Sequence, residues 1–314
     1  MKKYGNKDLL VSVIIPNYNH AKYLSKRIES VINQTYKHFE VIILDDNSSD
    51  NSIEIIRKYE TNEHISHIII NKENSGSTFK QWEKGFQLAK GELIWIAESD
   101  DYCATTFLKT LVEPFILDDN CVLSFCKSKK INSEGGLLSE EGFDNSFKMP
   151  GIDFIQKHLC HHNYISNASA VIFKKNVLSM IDWSFTSYKG CGDWIVWIEI
   201  AKCGNISYSN LALNYFRIHE SNTTKKQAFS GKNEIEGMEV YKFMLKKNYI
   251  GYRDVLRARI SHIYSVKYGK QHTFYSEETR KEIMKCWKSN IFINIFIYII
   301  HLVQSHTNIK IIKR

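Results

Sequence analysis

Three prolines and fifteen glycines in 314 residues are too few for a collagen-like repeat or a linker-dominated chain. None of the seven cysteines (Cys103, Cys121, Cys126, Cys160, Cys191, Cys203, Cys286) belongs to a C-x-x-C pair. Their odd number and scatter point to reduced thiols in a cytosolic compartment. No run of about 18 apolar residues exists to cross a bilayer, and the apolar run at residues 11–16 comes too late and is too brief for a signal peptide. The expected location is therefore the side of the membrane on which the chain is made. Neither G-x-G-x-x-G after the first apolar run nor G-x-x-x-x-G-K-[ST] anywhere occurs, so neither dinucleotide oxidoreduction nor P-loop phosphoryl transfer is signalled.

What is present can bury a sizeable core, with 43% hydrophobic and 13% aromatic residues. The formal charge of +8 is unevenly placed: residues 221–314 hold 18 basic and 7 acidic side chains, against 24 and 27 in residues 1–220. A positive end suits an anionic surface, phospholipid or nucleic acid, while the nearly neutral body argues against a nucleic-acid-wrapping protein.

Val11-Ser-Val-Ile-Ile15, Glu40-Val-Ile-Ile-Leu44, Ser66-His-Ile-Ile-Ile70 and Glu92-Leu-Ile-Trp-Ile96 are short β-branched runs, too continuous for strands with one wet face. They predict buried parallel strands. Between them run helical patterns: Leu24, Ile28, Val31 and Ile32; Ile53, Ile56 and Tyr59 after Ser48-Ser49-Asp50; and Phe79, Trp82, Phe86 and Ala89 before Gly91. The β-α alternation predicts an α/β fold, an open and mostly parallel sheet flanked by helices, with ligands at the carboxyl ends of the strands.

Those ends are polar: Pro16-Asn17-Tyr18-Asn19, Asp45-Asp46-Asn47-Ser48-Ser49-Asp50, Asn74-Ser75-Gly76-Ser77 and Glu98-Ser99-Asp100-Asp101. Gathered carboxylates repel one another unless they share a positive charge, and a hard divalent cation is the usual partner. Taken singly, each acidic group also suits a helix cap or a turn. Asp193 precedes the apolar face Trp194, Ile195, Trp197, Ile198 and Ala201, which places it at a helix N-terminus, as a cap or as a stabilised anion.

Together these segments resemble the family 2 glycosyltransferases of the GT-A fold. The resemblance rests on Val11-Ser-Val-Ile-Ile-Pro-Asn-Tyr-Asn, Ser30-Val-Ile-Asn-Gln-Thr-Tyr, Asp45-Asp-Asn-Ser-Ser-Asp, Glu73-Asn-Ser-Gly and Ala89-Lys-Gly-Glu-Leu-Ile-Trp-Ile-Ala-Glu-Ser-Asp-Asp. Gly192-Asp-Trp-Ile-Val-Trp and Asn214-Tyr-Phe-Arg-Ile-His-Glu-Ser-Asn-Thr-Thr continue it in order, over about residues 8–225. It implies nucleotide-sugar contacts at Pro16, Tyr18, Asp46, Gly76, Glu98 and Asp100. It further implies Mg²⁺ or Mn²⁺ at Glu98, Asp100, Asp101 and His219, with Asp193 as the general base of an inverting transfer. Glu98 stands where the family commonly has Asp, and Gly192 where it has a second acid. The implied partners are a nucleoside-diphosphate sugar, UDP-linked by resemblance, and a glycan or polyprenyl-linked glycan acceptor in surface polysaccharide synthesis at the inner face of a membrane. A sugar-phosphate nucleotidyltransferase would carry a basic glycine-rich loop where Pro16-Asn-Tyr-Asn stands; a catalytically degenerate sugar-nucleotide-binding protein is the non-enzymatic alternative.

The expected organisation is a catalytic domain at residues 1–225 and a basic helical extension at 226–314. Residues 127–165 read as a solvated or acceptor-side loop. Its His158, His161 and His162 are spaced to share a helix face and bind zinc, but no cysteine or carboxylate lies at ligand spacing. The family resemblance implies acceptor contacts at Tyr164 and Asn167. Residues 291–303 form an apolar run that as a helix spans about 20 Å, short of the roughly 30 Å hydrocarbon core. An interfacial helix and a helix packed on protein both fit it.

Overall fold

The computed structural model describes residues 8–165, 167–220, 230–269 and 275–306. Two compact units are present, one of Met1–Leu159, Asn163–Ser187 and Gly192–His219, the other of Cys160–His162, Tyr188–Cys191 and Glu220–Arg314.

The first unit begins with β1 (Val11–Asn17), α1 (Ala21–Ile32), β2 (Phe39–Asp45), α2 (Ser52–Arg57), β3 (Ile65–Ile70), α3 (Thr78–Leu88) and β4 (Leu93–Ile96). It continues with β5 (Tyr102–Cys103), α4 (Phe107–Leu117), β6 (Cys121–Ile131), β7 (Leu137–Glu141), β8 (Phe147–Pro150), α5 (Gly151–Phe154), β9 (Val171–Lys174), α6 (Gly192–Ala201) and β10 (Asn205–Arg217). One sheet runs β3-β2-β1-β4-β9-β6-β10-β5, with β7 beside β6 and β8 beside β10. β1 pairs in parallel with β2, Asn17 opposite Asp45, and with β4, Ile14 opposite Ile96. The polar segments that leave these three strands therefore emerge at one rim.

Continuous apolar strands bury both faces. Val11, Val13, Ile15, Val41, Ile43 and Trp95 pack with Leu24, Ile28 and Val31 of α1 and Phe107, Leu111 and Phe115 of α4. β3 departs from the expectation of a buried strand, being a half-buried edge that pairs only with β2. Residues 127–165 also differ from the expected loop. They continue β6 and supply β7, β8 and α5, because antiparallel pairing to β6 and β10 satisfies their backbone. β10 is thirteen residues long, parallel to β6 and antiparallel to β8 and β5, with register irregularities between Ser209 and Asn214.

The second unit holds α7 (Lys232–Lys246), α8 (Tyr252–Tyr268), α9 (Glu277–Cys286) and α10 (Ile291–His306). Tyr241, Met244, Ile263, Val266, Ile283 and Trp287 are buried there. The His262 ring stacks on Trp287 at 4.2 Å, while its Nδ1 lies 2.5 Å from Glu234 Oε2. His301 of α10 stacks on Tyr268 of α8 at 4.0 Å. Among the described residues no single helix is long and apolar enough to cross a membrane.

Candidate active site

The loops after β1 and β2 are joined by side chains. Asn17 Nδ2 donates to Asp45 Oδ2 at 2.7 Å, and Asp45 also accepts from the backbone N and hydroxyl of Ser48. Asn19, at φ 55, donates its backbone N to Ser48 Oγ. Asp50 is a helix cap in the sense expected, twice over: Oδ1 accepts from Ser52 N of α2 and Oδ2 from Ala21 N of α1. Pro16 is buried in this frame, whereas Tyr18 is 47% exposed and presents its ring to the rim.

Asp46 follows β2 directly and is nearly buried. Its carboxylate accepts from Asn71 Nδ2 (2.7 Å), Ser75 N (2.9 Å), Ser75 Oγ (2.8 Å) and Gln81 Nε2 (2.8 Å). Gly76, at φ +66, makes the turn that brings the Ser75 amide onto Asp46. Gln81, from α3, is buried, and its Oε1 has no hydrogen-bond partner.

The acidic loop after β4 rests on two buried arginines. Arg27 of α1 is wholly buried. Its Nε donates to Glu98 O at 2.8 Å, its Nη2 donates to Ser169 Oγ at 3.1 Å, and Nη2 lies 3.9 Å from Asp101 Oδ2. Arg217, at the end of β10, donates Nε to Asp100 O at 2.9 Å and Nη1 to the carbonyls of Asn132 and Ser133.

Consecutive carboxylates then point to different places. Asp101 turns inward, accepting from Arg217 N at 2.8 Å and Asn167 Nδ2 at 2.5 Å. Asn167 is committed to this tie, since its Oδ1 accepts from Asn214 at 2.9 Å. Asp100 instead faces His219, Nε2 to Oδ2 at 2.9 Å. His20 completes the group, its Nδ1 2.8 Å from Ser99 Oγ and its ring edge-on to His219 at 5.5 Å.

His20, Asp100 and His219 offer ligand atoms that all lie within 4.8 Å of one another. Two imidazoles and one carboxylate make a donor set that fits a divalent transition ion such as Mn²⁺ better than all-oxygen-loving Mg²⁺. Of the four expected metal residues, this cluster contains Asp100 and His219. Asp101 is not brought into it, and Glu98 Oε1 accepts from Trp82 Nε1 at 2.9 Å.

Electrostatics separates these groups. Burial pushes the Glu98 carboxyl up to about 8, with Asp100 adding to the effect. Burial, then Asp100, likewise pushes Asp101 up to about 7, against the pull of Arg27. Burial opposes ionisation of Asp100 too, but the His219 hydrogen bond and the two imidazoles outweigh it and hold this carboxyl below its ordinary range. Burial depresses His20, which keeps its imidazole neutral and able to coordinate.

Asp193 sits in the first turn of α6. Its Oδ2 accepts from Asn163 Nδ2 at 3.1 Å and its Oδ1 from Trp194 N at 2.7 Å. Gly192 stands before it for steric reasons: a Cβ there would come within 2.7 Å of both Phe185 O and the Phe79 ring. Phe79 meets Trp82 edge-on at 5.0 Å, and Trp82 reaches Glu98, so packing links the start of α6 to the acidic loop. Tyr164, 38% exposed beside Asn163, stacks on Phe143 at 5.2 Å with 24° between planes, and His158 meets its edge.

His20, Arg27, Gln81 and Asn163 are site residues to which no role was assigned from the sequence. His20 directly follows the Pro-Asn-Tyr-Asn segment, a signal that was there to be used.

The sequence profile of glycosyl transferase family 2 matches residues 12–174, more than half of the chain. The chain belongs to that family. It is 34% identical over 131 residues to the putative teichuronic acid biosynthesis glycosyltransferase TuaG of Bacillus subtilis, covering 42% of this chain and 51% of that protein. It is 36% identical over 104 residues to glycosyltransferase GlyG of Streptococcus pneumoniae, covering 33% and 34%. The matches thus span a third to a half of these curated relatives. Among solved structures, S. aureus TarS 1–349 in complex with UDP-GlcNAc superposes with a TM-score of 0.69 at 19% identity, covering 88% of this chain and 79% of that one, which shows a common fold.

Proposed function

We propose that the protein transfers a sugar, with inversion, from a nucleoside-diphosphate sugar to a hydroxyl of a glycan or polyprenyl-linked glycan during surface polysaccharide assembly. The observation that carries this reading is the convergence of Asp46, Asp100 and His219 on one rim, packed through Trp82 and Phe79 to the helix that starts with Asp193. Tyr18 covers the nucleobase and the Asp46–Ser75–Gln81 network meets its polar edge; UDP is the preferred base because TarS, a similar fold, is found with UDP-GlcNAc. His20, Asp100 and His219 would hold a divalent cation, Mn²⁺ ahead of Mg²⁺, which when bound would supply positive charge to the diphosphate leaving group.

Asp193 accepts the acceptor hydroxyl's proton while that oxygen attacks the anomeric carbon and the bond to the diphosphate breaks. Asn163 fixes the carboxylate's orientation, and the helix N-terminus favours its ionised form. The exposed Tyr164 ring offers an apolar face for an acceptor sugar, which supports a glycan acceptor. The test is to incubate the full chain with Mn²⁺, a panel of UDP-, GDP- and dTDP-sugars and glycan acceptors, and to follow nucleoside diphosphate release and product anomer by NMR. Acceptor-dependent release with an inverted linkage is expected; a retained configuration, or no release with any pair while the donor binds, overturns the proposal.

A further inference from the structure

We propose that the outward face of α10 docks on a phospholipid bilayer that carries anionic headgroups. Ile291, Phe292, Ile295, Phe296, Tyr298, Ile299 and Leu302 are all exposed, from 38% at Leu302 to 79% at Phe292. At 3.6 residues per turn they occupy one arc of about 160°. The opposite side is spent on the unit's own packing, with Ile297 and Ile300 buried and His301 stacked on Tyr268. Residues 291–304 contain no Asp, Glu, Lys or Arg. An outward apolar stripe of this size on a water-soluble surface marks an interaction site.

Length and charge select the occupant. Sixteen residues make a helix of about 24 Å, less than the roughly 30 Å of a hydrocarbon core. α10 is also bent by 114° from α9, so a single straight crossing is not built here. A helix lying in the headgroup plane needs only the one-sided apolar face that α10 presents. A second copy of the chain would bring together two segments that each hold 18 basic and 7 acidic residues, and the repulsion opposes a dimer. Anionic headgroups meet the same charge favourably. Lys281, Lys285 and Lys288 are exposed on α9 and the turn into α10, Lys281 lying 2.7 Å from Glu277. Lys267 lines a shallow hollow of about 550 Å³ with Asn290, Asn294, Ile295 and Tyr298, where cationic and apolar surface adjoin.

The measurement needs no sugar donor, so it stands or falls apart from the glycosyl-transfer reading. Full-length protein is floated with vesicles of phosphatidylcholine alone and of phosphatidylcholine with phosphatidylglycerol. Binding is expected to require phosphatidylglycerol and to weaken with salt. The triple variant Phe292→Ser, Ile295→Ser, Phe296→Ser should lose more than about tenfold in partition coefficient, with unchanged circular dichroism because these side chains face solvent. A second variant, Lys281→Glu, Lys285→Glu, Lys288→Glu, leaves the apolar face intact and should lose binding to the anionic vesicles. Equal flotation of either variant and the parent, or lipid-independent dimers in light scattering that the serine variant dissociates, overturns the proposal.

Discussion

His219 Nε2 lies 2.9 Å from Asp100 Oδ2 across 119 positions of chain, and this pair closes the rim of the sheet. Asp100 leaves β4, a strand paired with β1, while His219 leaves the far side by way of β10. Four predictions follow from how their neighbours are held.

The cluster should behave as a cation site. Replacing His20, Asp100 or His219 by Ala is expected to weaken Mn²⁺ binding by at least about tenfold, read by isothermal titration calorimetry. Excess EDTA should abolish transfer, with Mn²⁺ restoring more of it than Mg²⁺. An Asp101→Asn variant that weakened Mn²⁺ as much as Asp100→Ala would contradict the inward orientation of Asp101.

Arg27 should be a stability residue. Its buried guanidinium is a counter-ion beneath the acidic loop, so Arg27→Met leaves buried acceptors and carboxylate charge without compensation. A loss of about 3–5 kcal/mol is expected, measured by urea unfolding. A loss under about 1 kcal/mol would show that the loop does not depend on it.

Asp193→Asn should keep the shape of the α6 start and lose the base. Transfer is expected to fall by about 10²–10⁴-fold, with donor affinity unchanged in calorimetry. Asn163→Ala, which frees the carboxylate's orientation, should lose less and respond in kcat rather than in donor binding. Wild-type turnover in Asp193→Asn would remove it from the mechanism.

Stability should fall as pH rises. Glu98 titrates in the folded chain near 8 against an ordinary 4.5, so folding favours its protonated form. The stability this contributes is complete below the ordinary value and is lost as pH climbs through about 8. The cation-free melting temperature should therefore drop between about pH 4.5 and 8 and level off above that, with a shallower slope in Glu98→Gln. Mn²⁺ should raise it more at the upper end, because positive charge held by His20, Asp100 and His219 would offset the Glu98 carboxylate formed there. A flat profile, identical in the variant, would refute the assignment.

The first four strands and their helices were legible because a parallel strand buried on both faces leaves an unbroken apolar run. β3 was read as buried because the same composition also serves an edge. The second half of the sheet was not legible: β6 and β10 alternate Ser, Lys and Asn with apolar residues, and their pairings to β8 and β9 are set by distant segments. Within the site, the sequence located the carboxylates but not their directions, since neighbouring residues such as Asp100 and Asp101 leave the backbone on different sides. Arg27 lies on a helix whose other basic positions face water, and only the tertiary position of the acidic loop distinguishes it. Asn167, a candidate acceptor contact in sequence, is instead tied to Asp101 and Asn214.

β10 carries Tyr208, whose hydroxyl donates to Phe143 O beneath the Tyr164 ring, and nine residues later Arg217, which holds the Asp100 backbone. The strand thus joins the stacked Phe143 and Tyr164 rings to the His20, Asp100 and His219 cluster. From Tyr208 to Arg217 β10 takes nine steps against six in β6 from Phe125 to Ile131, and the irregularities between Ser209 and Asn214 take up the difference. A change of length there has somewhere to go, whereas one residue more or less between Tyr215 and Arg217 would turn Arg217 to the other side of the pleat and carry His219 away from Asp100.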